Sequence, residues 1–489
     1  DIALMHGVMK HWFDLEEQHE GSAVNHEFVN EHVNNYEDLK ENVQSQSWDE
    51  IVQSSGVDKE QIIELSNSLA KAKNGVMVWA LGLTMHKHAT DNISQVSNLA
   101  LLRGWLGGKN KGLMPLRGHS SVQGSGEMGA DPFSLPGGDY NDENRPRVEE
   151  LWNFKLPEWP GDTVGVTIEN AMLPDDNERK LKLYYMSGGN FLETMPDPDF
   201  VRDALQNLDI RVHQDIILNT STLLDAKETV VVLPAKTRYE QDGGGLSTST
   251  ERMIYFSPEI EGNRNRIAEA RSEWQIYVDL AKRVKPEESH LIDFQSGQEI
   301  RDEIAKANPQ YDGVQHLKKA GDVYQYGGAW LCEGGVCPTP DGRGNLITMD
   351  IPDNNKKAGE FKLLMRRGKQ FNAMIYGDRD AFNNMGRYDV LVSENDARRE
   401  GLEDGEAVVL YNKNGVFQGF VKYAAIKDGN IGVQFPEGNF LVEKGIYESF
   451  VEMPDYVTDV KMEKADHFNA NKDRQYLEKS IPELEDNPN

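Results

Sequence analysis

A chain of 489 residues with 38% hydrophobic and 27% charged side chains has room for about two to four globular domains. Its 81 acidic residues against 52 basic ones leave a net charge of −29, which repels nucleic acid and anionic membranes and excludes both as general partners. No run of about 18 consecutive apolar residues occurs, and the N-terminus lacks the basic region and apolar run of an export signal, so no membrane span is read and a cytoplasmic location is expected.

The chain starts at Asp1 and enters directly into a helix-like pattern, so it is read as a piece of something longer. Asp1 to Leu39 reads as helical. Trp48 to Ala72 contains an amphipathic helix in which Asp58 is the N-cap and Gln61 completes a capping box. Val76 to Leu81 reads as a buried strand and Gly82 as a turn. Asp91 to Leu102 follows at helical spacing with Asp91 as N-cap, and the run ends at Gly104. A strand, a glycine turn and a helix make half of a nucleotide-binding unit, because free N–H groups at a helix start attract phosphate. His86 and His88 stand two apart without a third ligand nearby, which favours polar packing over a metal site.

Asp131 to Asp162 reads as a long loop with one short helix, and Thr163 to Met172 as helical. LKLYYMSGG reads as a strand entering a second glycine turn, Asp199 to Asn207 as a short helix, and IRVHQDIILNTST and ETVVVLPA as two further strands. Alternating strands and helices argue for a parallel sheet covered on both faces, with ligands at the carboxyl ends of its strands. There Gln214 and Asp215 suit a base reader, since a carboxylate accepts two N–H donors from a guanine edge. Thr237 to Thr250 reads as a polar glycine-rich loop, Arg264 to Val284 as a helical packing element and Pro286 to Gly327 as charged and loop-rich. Cys332 and Cys337 cannot complete a four-ligand zinc or iron–sulfur site by themselves and read as a structural loop pair. From Gly359 the chain turns to short β patterns with hairpin signals at Asn414-Gly415 and Asp428-Gly429, which predicts a separate barrel-like domain. The tail after Asp455 reads as a surface extension.

The order of LGLTMHKH, NLALLRGWLGGKNKGL, PLRGHSSVQG, YYMSGGNF, HQDIILNTST, VVVLPAKTRYEQDGG and MRRGKQFNAM resembles the molybdopterin oxidoreductases of the dimethyl-sulfoxide-reductase superfamily. The likeness is to the formate dehydrogenase alpha-subunit and YdeP-like branch, and it runs from the first residue to about Glu443. It implies an α/β fold with parallel-sheet dinucleotide-binding domains and a C-terminal double-psi β-barrel. The expected division is 1–118 and 119–235 for two α/β domains, 236–358 for a helical and loop connection, and 359–489 for the barrel with its acidic tail.

The implied cofactor is bis-molybdopterin guanine dinucleotide with molybdenum or tungsten. Its contacts would fall on Ala80, Gly82, Thr84 and Gly118; on Gly188, Gly189, Asn190, Gln214, Asp215, Ile216 and Asp242; and on Arg366, Gly368, Lys369, Gln370, Phe371, Asn372 and Asn439. Arg117 matches the family arginine that orients an anionic substrate, and His119 stands where typical formate dehydrogenases carry glutamine; both are the implied catalytic residues. The family's cluster cysteines and metal-ligating residue lie in an N-terminal region that nothing here matches, so a 4Fe-4S cluster is expected upstream of Asp1 and this fragment alone is expected to be inactive. A small-molecule substrate, with formate as the candidate, and an electron-transfer partner subunit are the implied partners. The alternative is a scaffold or interaction subunit with the same fold that has lost the metal.

Overall fold

The helix Ile2–Gln18 carries Met5, Val8, Met9, Trp12 and Phe13 on one stripe, and all five are buried. In the computed structural model, which describes residues 1–260, 267, 269–353, 359–367, 377, 379–380 and 384–465, this stripe nucleates the core of one of two compact units. That first unit comprises Asp1–Leu156, Gly245–Pro258 and Gln298–Asn355. Around the stripe pack Leu39, Val43, Ile51, Ile62, Val96 and Leu99 from the helices that follow. A Cβ on Gly7 would lie 2.8 Å from Ile62 Cγ2, so glycine sets the approach of the first helix to Lys59–Lys71. Asp58 caps that second helix, and its own N–H donates to Gln61 Oε1 at 3.4 Å.

The continuous helix expected over Asp1 to Leu39 is instead three: Ile2–Gln18, His26–His32 and the start of Tyr36–Ser45. The break has a cause in Glu16, whose carboxylate accepts the N–H groups of Gly21, Ala23 and Val24 and contacts the His26 ring at 2.6 Å. Burial works against ionisation there, but those donors hold the carboxyl below its ordinary range.

Strand Val76–Trp79 pairs in parallel with Gly112–Pro115, from Val76↔Gly112 to Trp79↔Pro115, and the helix Ala89–Leu102 makes the crossover. Met77 and Trp79 pack against the core, but Val76 and Val78 are exposed, so the strand is covered on one face and not buried as expected. The helix starts one turn earlier than the sequence suggests: His88 is its N-cap, and Asp91 sits in the first turn, 3.2 Å from His88 Nδ1, where a negative charge complements the helix dipole. At its other end Gly104 takes φ +61°, with Trp105 N–H donating to Ala100 O and Gly104 N–H to Leu101 O. This is the Schellman arrangement that a residue with a Cβ resists.

The same unit holds a three-stranded antiparallel sheet of Gly245–Thr248, Met253–Ser257 and Val323–Gln325. Two expectations change here. The glycine-rich stretch over Thr237 to Thr250 ends as a strand, and Pro286 to Gly327 contains the helix Gly297–Ala307 and the Val323–Gln325 strand. Both elements are short, and their apolar residues meet a common cluster around Ile254, Tyr311 and Val314, which local periodicity does not reveal.

The second unit comprises Pro157–Gly244, Glu259–Gly297 and Lys356–Asn489. Its parallel sheet runs Leu183–Ser187, Ile210–Asp215, Thr229–Pro234, with Ser187↔Gln214 and Gln214↔Leu233 in register. One face, through Tyr184 and Met186, packs on Ile168, Leu192, Val201 and Leu205. On the other, Gln214 and Ser187 bond to Glu273 and Tyr277 of the helix Glu273–Val284.

The barrel closes in the order Phe361–Arg367, Asn430–Phe435, Asp389–Val392, Val416–Tyr423, Ala407–Tyr411, Thr458–Lys464. Two of its pairings are parallel, Phe361–Arg367 with Asn430–Phe435 and Asp389–Val392 with Val416–Tyr423. Asn414-Gly415 joins a true antiparallel hairpin, and a Cβ on Gly415 would stand 2.3 Å from Phe440 O. Asp428-Gly429 does not form the expected hairpin, because Asp389–Val392 inserts between the strands it connects; Gly429 N–H instead donates to the Asp396 carboxylate. Nor is the chain after Asp455 all surface, since Thr458–Lys464 closes the barrel with Val460 and Met462 in its core.

Candidate functional site

Parallel pairing places the carboxyl ends of neighbouring strands side by side, which is where the implied contact residues fall in each unit. In the first unit, Ala80, Gly82 and Thr84 lie in and beside the 3-10 turn Leu81–Leu83 that leaves the first strand. Arg117, Gly118 and His119 leave the second, and Leu116 N–H extends the pairing by donating to Trp79 O at 2.7 Å. The sheet thus draws together two groups more than 30 residues apart in sequence. Gly82 and Gly118 have nothing within 4 Å of a would-be Cβ, so both turns present open backbone.

His86 and His88 do not form a chelating pair. The His86 ring nitrogens lie 2.6 Å from the Asn92 side-chain amide and 3.2 Å from the His88 backbone N, while His88 Nδ1 faces Asp91. Burial and the neighbouring His88 push the His86 pKa down to about 4, which keeps the ring neutral.

Beyond Arg117 opens a cavity of about 490 Å³, lined also by Gln123, Glu127, Ser134, Asp139 and Asn308. Glu127 Oε1 accepts the Tyr326 hydroxyl at 2.8 Å and Gln123 Nε2 at 2.9 Å, and Oε2 accepts the Tyr311 hydroxyl. Burial, then the hydrogen bond to Glu127 and its charge, raises both tyrosine pKa values far above the ordinary phenol range, so both remain donors. This cluster escaped the sequence reading because its tyrosines lie in stretches read as loops. The only signal was the density of aromatic and amide residues between Asn308 and Tyr326.

In the second unit the three strand ends converge. Gly188 and Gly189 take φ +73° and +90°, a left-handed turn that suits glycine, and Gly188 N–H donates to Gln214 O at 2.8 Å. Asn190 is buried, its Oδ1 accepting the hydroxyls of Thr220 and Ser221. Asn219 spans the site, donating from Nδ2 to Gly189 O at 3.1 Å and to Asp215 Oδ2 at 3.3 Å. Burial lifts the Asp215 carboxyl above its ordinary range, against the pull of the Ile216 N–H and Asn219. Ile216, next to it, is exposed. After the third strand, Asp242 pairs with Lys236 at 2.9 Å and accepts the Ser272 hydroxyl at 2.8 Å.

Two of the implied readers are differently employed. Gln214 is fully buried, its amide taken by Tyr185 and Glu273, so Asp215 is the acceptor at the strand end. Asn439 is also fully buried and donates to Glu193 O at 2.6 Å, although its Oδ1 has no hydrogen-bond partner among the described residues. Arg366 is the penultimate residue of the first barrel strand, with Nη1 3.8 Å from Met385 Sδ, and Gly368, Lys369, Gln370, Phe371 and Asn372 lie outside the described residues.

This donor set fits the dinucleotide ends of the implied cofactor. An open left-handed glycine turn admits a phosphate, Asp215 can accept the N–H edge of a guanine, and the Asn439 Oδ1 is a buried acceptor awaiting a donor. Among the described residues no group of three or more His, Cys, Asp or Glu side chains could hold a metal ion. Cys332 and Cys337 are free thiols, and burial with the hydrogen bond between them pushes Cys332 up to about 12. Among the described residues no helix is long and apolar enough to cross a membrane.

Residues 45–283 match the family model described as molybdopterin oxidoreductase. The chain is 28% identical over 430 residues to F420-dependent formate dehydrogenase 1 subunit alpha of Methanococcus maripaludis, covering 84% of this chain and 59% of that one. It is 26% identical over 488 residues to protein YdeP of Escherichia coli, covering 93% and 61% respectively. Acetylene hydratase from Pelobacter acetylenicus shares the fold, with a TM-score of 0.65 at 15% identity over 95% of this chain and 70% of that structure. The chain therefore spans about three-fifths of the length of these sequence relatives. By its strand-end turns, its closed barrel and these comparisons, the chain carries a molybdopterin oxidoreductase domain over residues 45–283, and its relatives are formate dehydrogenase alpha subunits and YdeP.

Proposed function

We propose that this chain is the cofactor-binding body of a molybdenum or tungsten oxidoreductase that removes two electrons from a small anionic substrate, formate being the candidate named by its relatives. The observation that carries the proposal is the junction in the second unit, where Asn219 ties the Gly189 turn to Asp215 at the ends of adjacent parallel strands. Gly188 and Gly189 would take a phosphate, Asp215 the guanine edge, and Ala80, Gly82, Thr84 and Gly118 the corresponding parts on the first unit. When bound, bis-molybdopterin guanine dinucleotide supplies a metal able to accept an electron pair. The remaining work belongs to the protein's own side chains. Arg117 holds the substrate carboxylate through its planar fork and keeps its charge on doing so. His119, in the same exposed turn, offers that anion a further hydrogen bond. A 4Fe-4S cluster upstream of Asp1 would supply one-electron chemistry for onward transfer to a partner subunit in the cytoplasm.

The engagement of Gln214 and Asn439 in internal bonds favours a second function, a scaffold of the same fold without metal. Metal and pterin analysis of the full-length protein separates the two. Near-stoichiometric molybdenum or tungsten with guanine-bearing pterin is expected, and an empty protein from cells that load a related enzyme would overturn the proposal in favour of the scaffold.

A further inference from the structure

Formate has three heavy atoms. At roughly 30 Å³ each, the share of a water molecule in the liquid, it would fill under about 100 Å³. The cavity beside Arg117 holds about 490 Å³, so formate would leave most of it to water. Its lining mixes polar and apolar surface and is mixed in charge: Arg117 is the cation, Glu127 and Asp139 are carboxylates, and Ser134 and Asn308 supply a hydroxyl and an amide. Glu127 is not the counter-ion of Arg117, because its oxygens already accept the Tyr326 and Tyr311 hydroxyls and the Gln123 amide. Those three donors fix its position, so it acts as a stationary negative charge in the wall. Asp139 is exposed at the rim, with its acceptors open to a ligand.

We propose that this cavity binds a small monocarboxylate bearing an amino or hydroxyl group, with its carboxylate on Arg117 and its donor end on Asp139, and that Glu127 turns away a second carboxylate. The assignment rests on the proposed function in taking Arg117 as the substrate-binding cation. It changes the substrate class from formate to amino or hydroxy acids of several heavy atoms. Like charge close to a carboxylate costs enough to discriminate, and an ion pair with a donor at the far end adds to the grip of Arg117.

Titration calorimetry on the purified full-length protein tests this with L-serine, glycerate, malonate and formate. L-serine or glycerate is expected to bind at least tenfold more tightly than formate, and malonate to give no saturable heat. Glu127→Gln combined with Asp139→Asn, which clears both carboxylates from the lining, should admit malonate, Asp139→Asn alone should weaken L-serine about tenfold, and Arg117→Ala should abolish L-serine binding. Asp139 is exposed, so its variant folds even where Glu127→Gln does not. Formate binding as tightly as L-serine and glycerate, malonate binding the unaltered protein, or Arg117→Ala keeping its ligand would each overturn the proposal. Molybdenum and pterin measured on the same sample tell the two failures apart. Metal present with formate preferred defeats the cavity assignment alone, whereas metal absent with L-serine bound defeats the redox function and leaves the cavity standing.

Discussion

Asp215→Asn should move two properties in opposite directions. The side chain keeps its shape, its one oxygen remains to accept the Ile216 N–H and the sheet register is untouched, but the Asn219 Nδ2 now meets an amide nitrogen and loses its 3.3 Å bond. Lost is the anionic acceptor pair facing a guanine edge. Hydrogen bonds to a charged group contribute about 1.5–3 kcal/mol, so retention of the dinucleotide should fall on the order of 10- to 100-fold. The pH-dependent part of stability should move the other way, on top of a pH-independent cost for the lost Asn219 bond. Burial raises the Asp215 pKa above its unfolded value, so the folded protein takes up a proton more readily than the unfolded chain and the ionised form is a burden on the native state. The gain from asparagine is therefore full above the raised folded pKa. It shrinks as pH falls through that value and vanishes below the ordinary carboxylate range. Metal per chain after dialysis reads the first effect, and thermal melts across pH read the second. Retention equal to wild type would refute the role of Asp215 as guanine acceptor, and a variant-minus-wild-type stability difference that does not rise with pH would refute the burial argument.

Arg117→Ala should lower turnover at least tenfold while metal content stays at the wild-type level, because the side chain lies in an exposed turn outside the dinucleotide contacts; steady-state rates with metal analysis decide this. Glu16→Gln should cost about 1–3 kcal/mol in denaturant titration near neutral pH, since an amide nitrogen would replace the oxygen that accepts Gly21 N–H and faces His26. The Glu16 carboxyl is held below its unfolded pKa, so its contribution is present above the ordinary value and lost as pH falls through the folded one; the variant and wild-type curves should converge in acid. Gly415→Ala should destabilise the barrel by about 1–3 kcal/mol, because its Cβ would meet the Phe440 carbonyl at 2.3 Å, and a melting temperature equal to wild type would show that the loop gives way freely.

Helix caps, strand ends and glycine turns were legible where each is decided within a few residues, although Asp91, expected as an N-cap, stands in the first turn behind His88. Asp58 with Gln61 and the stop at Gly104 are cases of one hydrogen-bond set closing locally, and the turn after Leu183–Ser187 is marked by its own two positive-φ glycines. From them followed a parallel sheet and the expectation that Gly82, Gly188 and Asp215 stand at strand ends, whereas the strand Gly112–Pro115 that leads to Gly118 was not read. What stayed hidden was set by partners far along the chain. Asp428-Gly429 carries a hairpin signal, yet whether its flanking strands pair depends on Asp389–Val392, which takes the place between them. Thr458–Lys464 reads as a polar tail until the barrel supplies a core for Val460 and Met462. Glu127 meets Tyr311 and Tyr326 across 184 and 199 residues, and Gln214 loses its amide to Glu273 on a distant helix. The sequence alone determined which local shapes the backbone would adopt, since sterics and capping act at short range. Tertiary structure alone decided which side chains were spent on one another and which were left facing a ligand, because that depends on which distant surfaces are buried together.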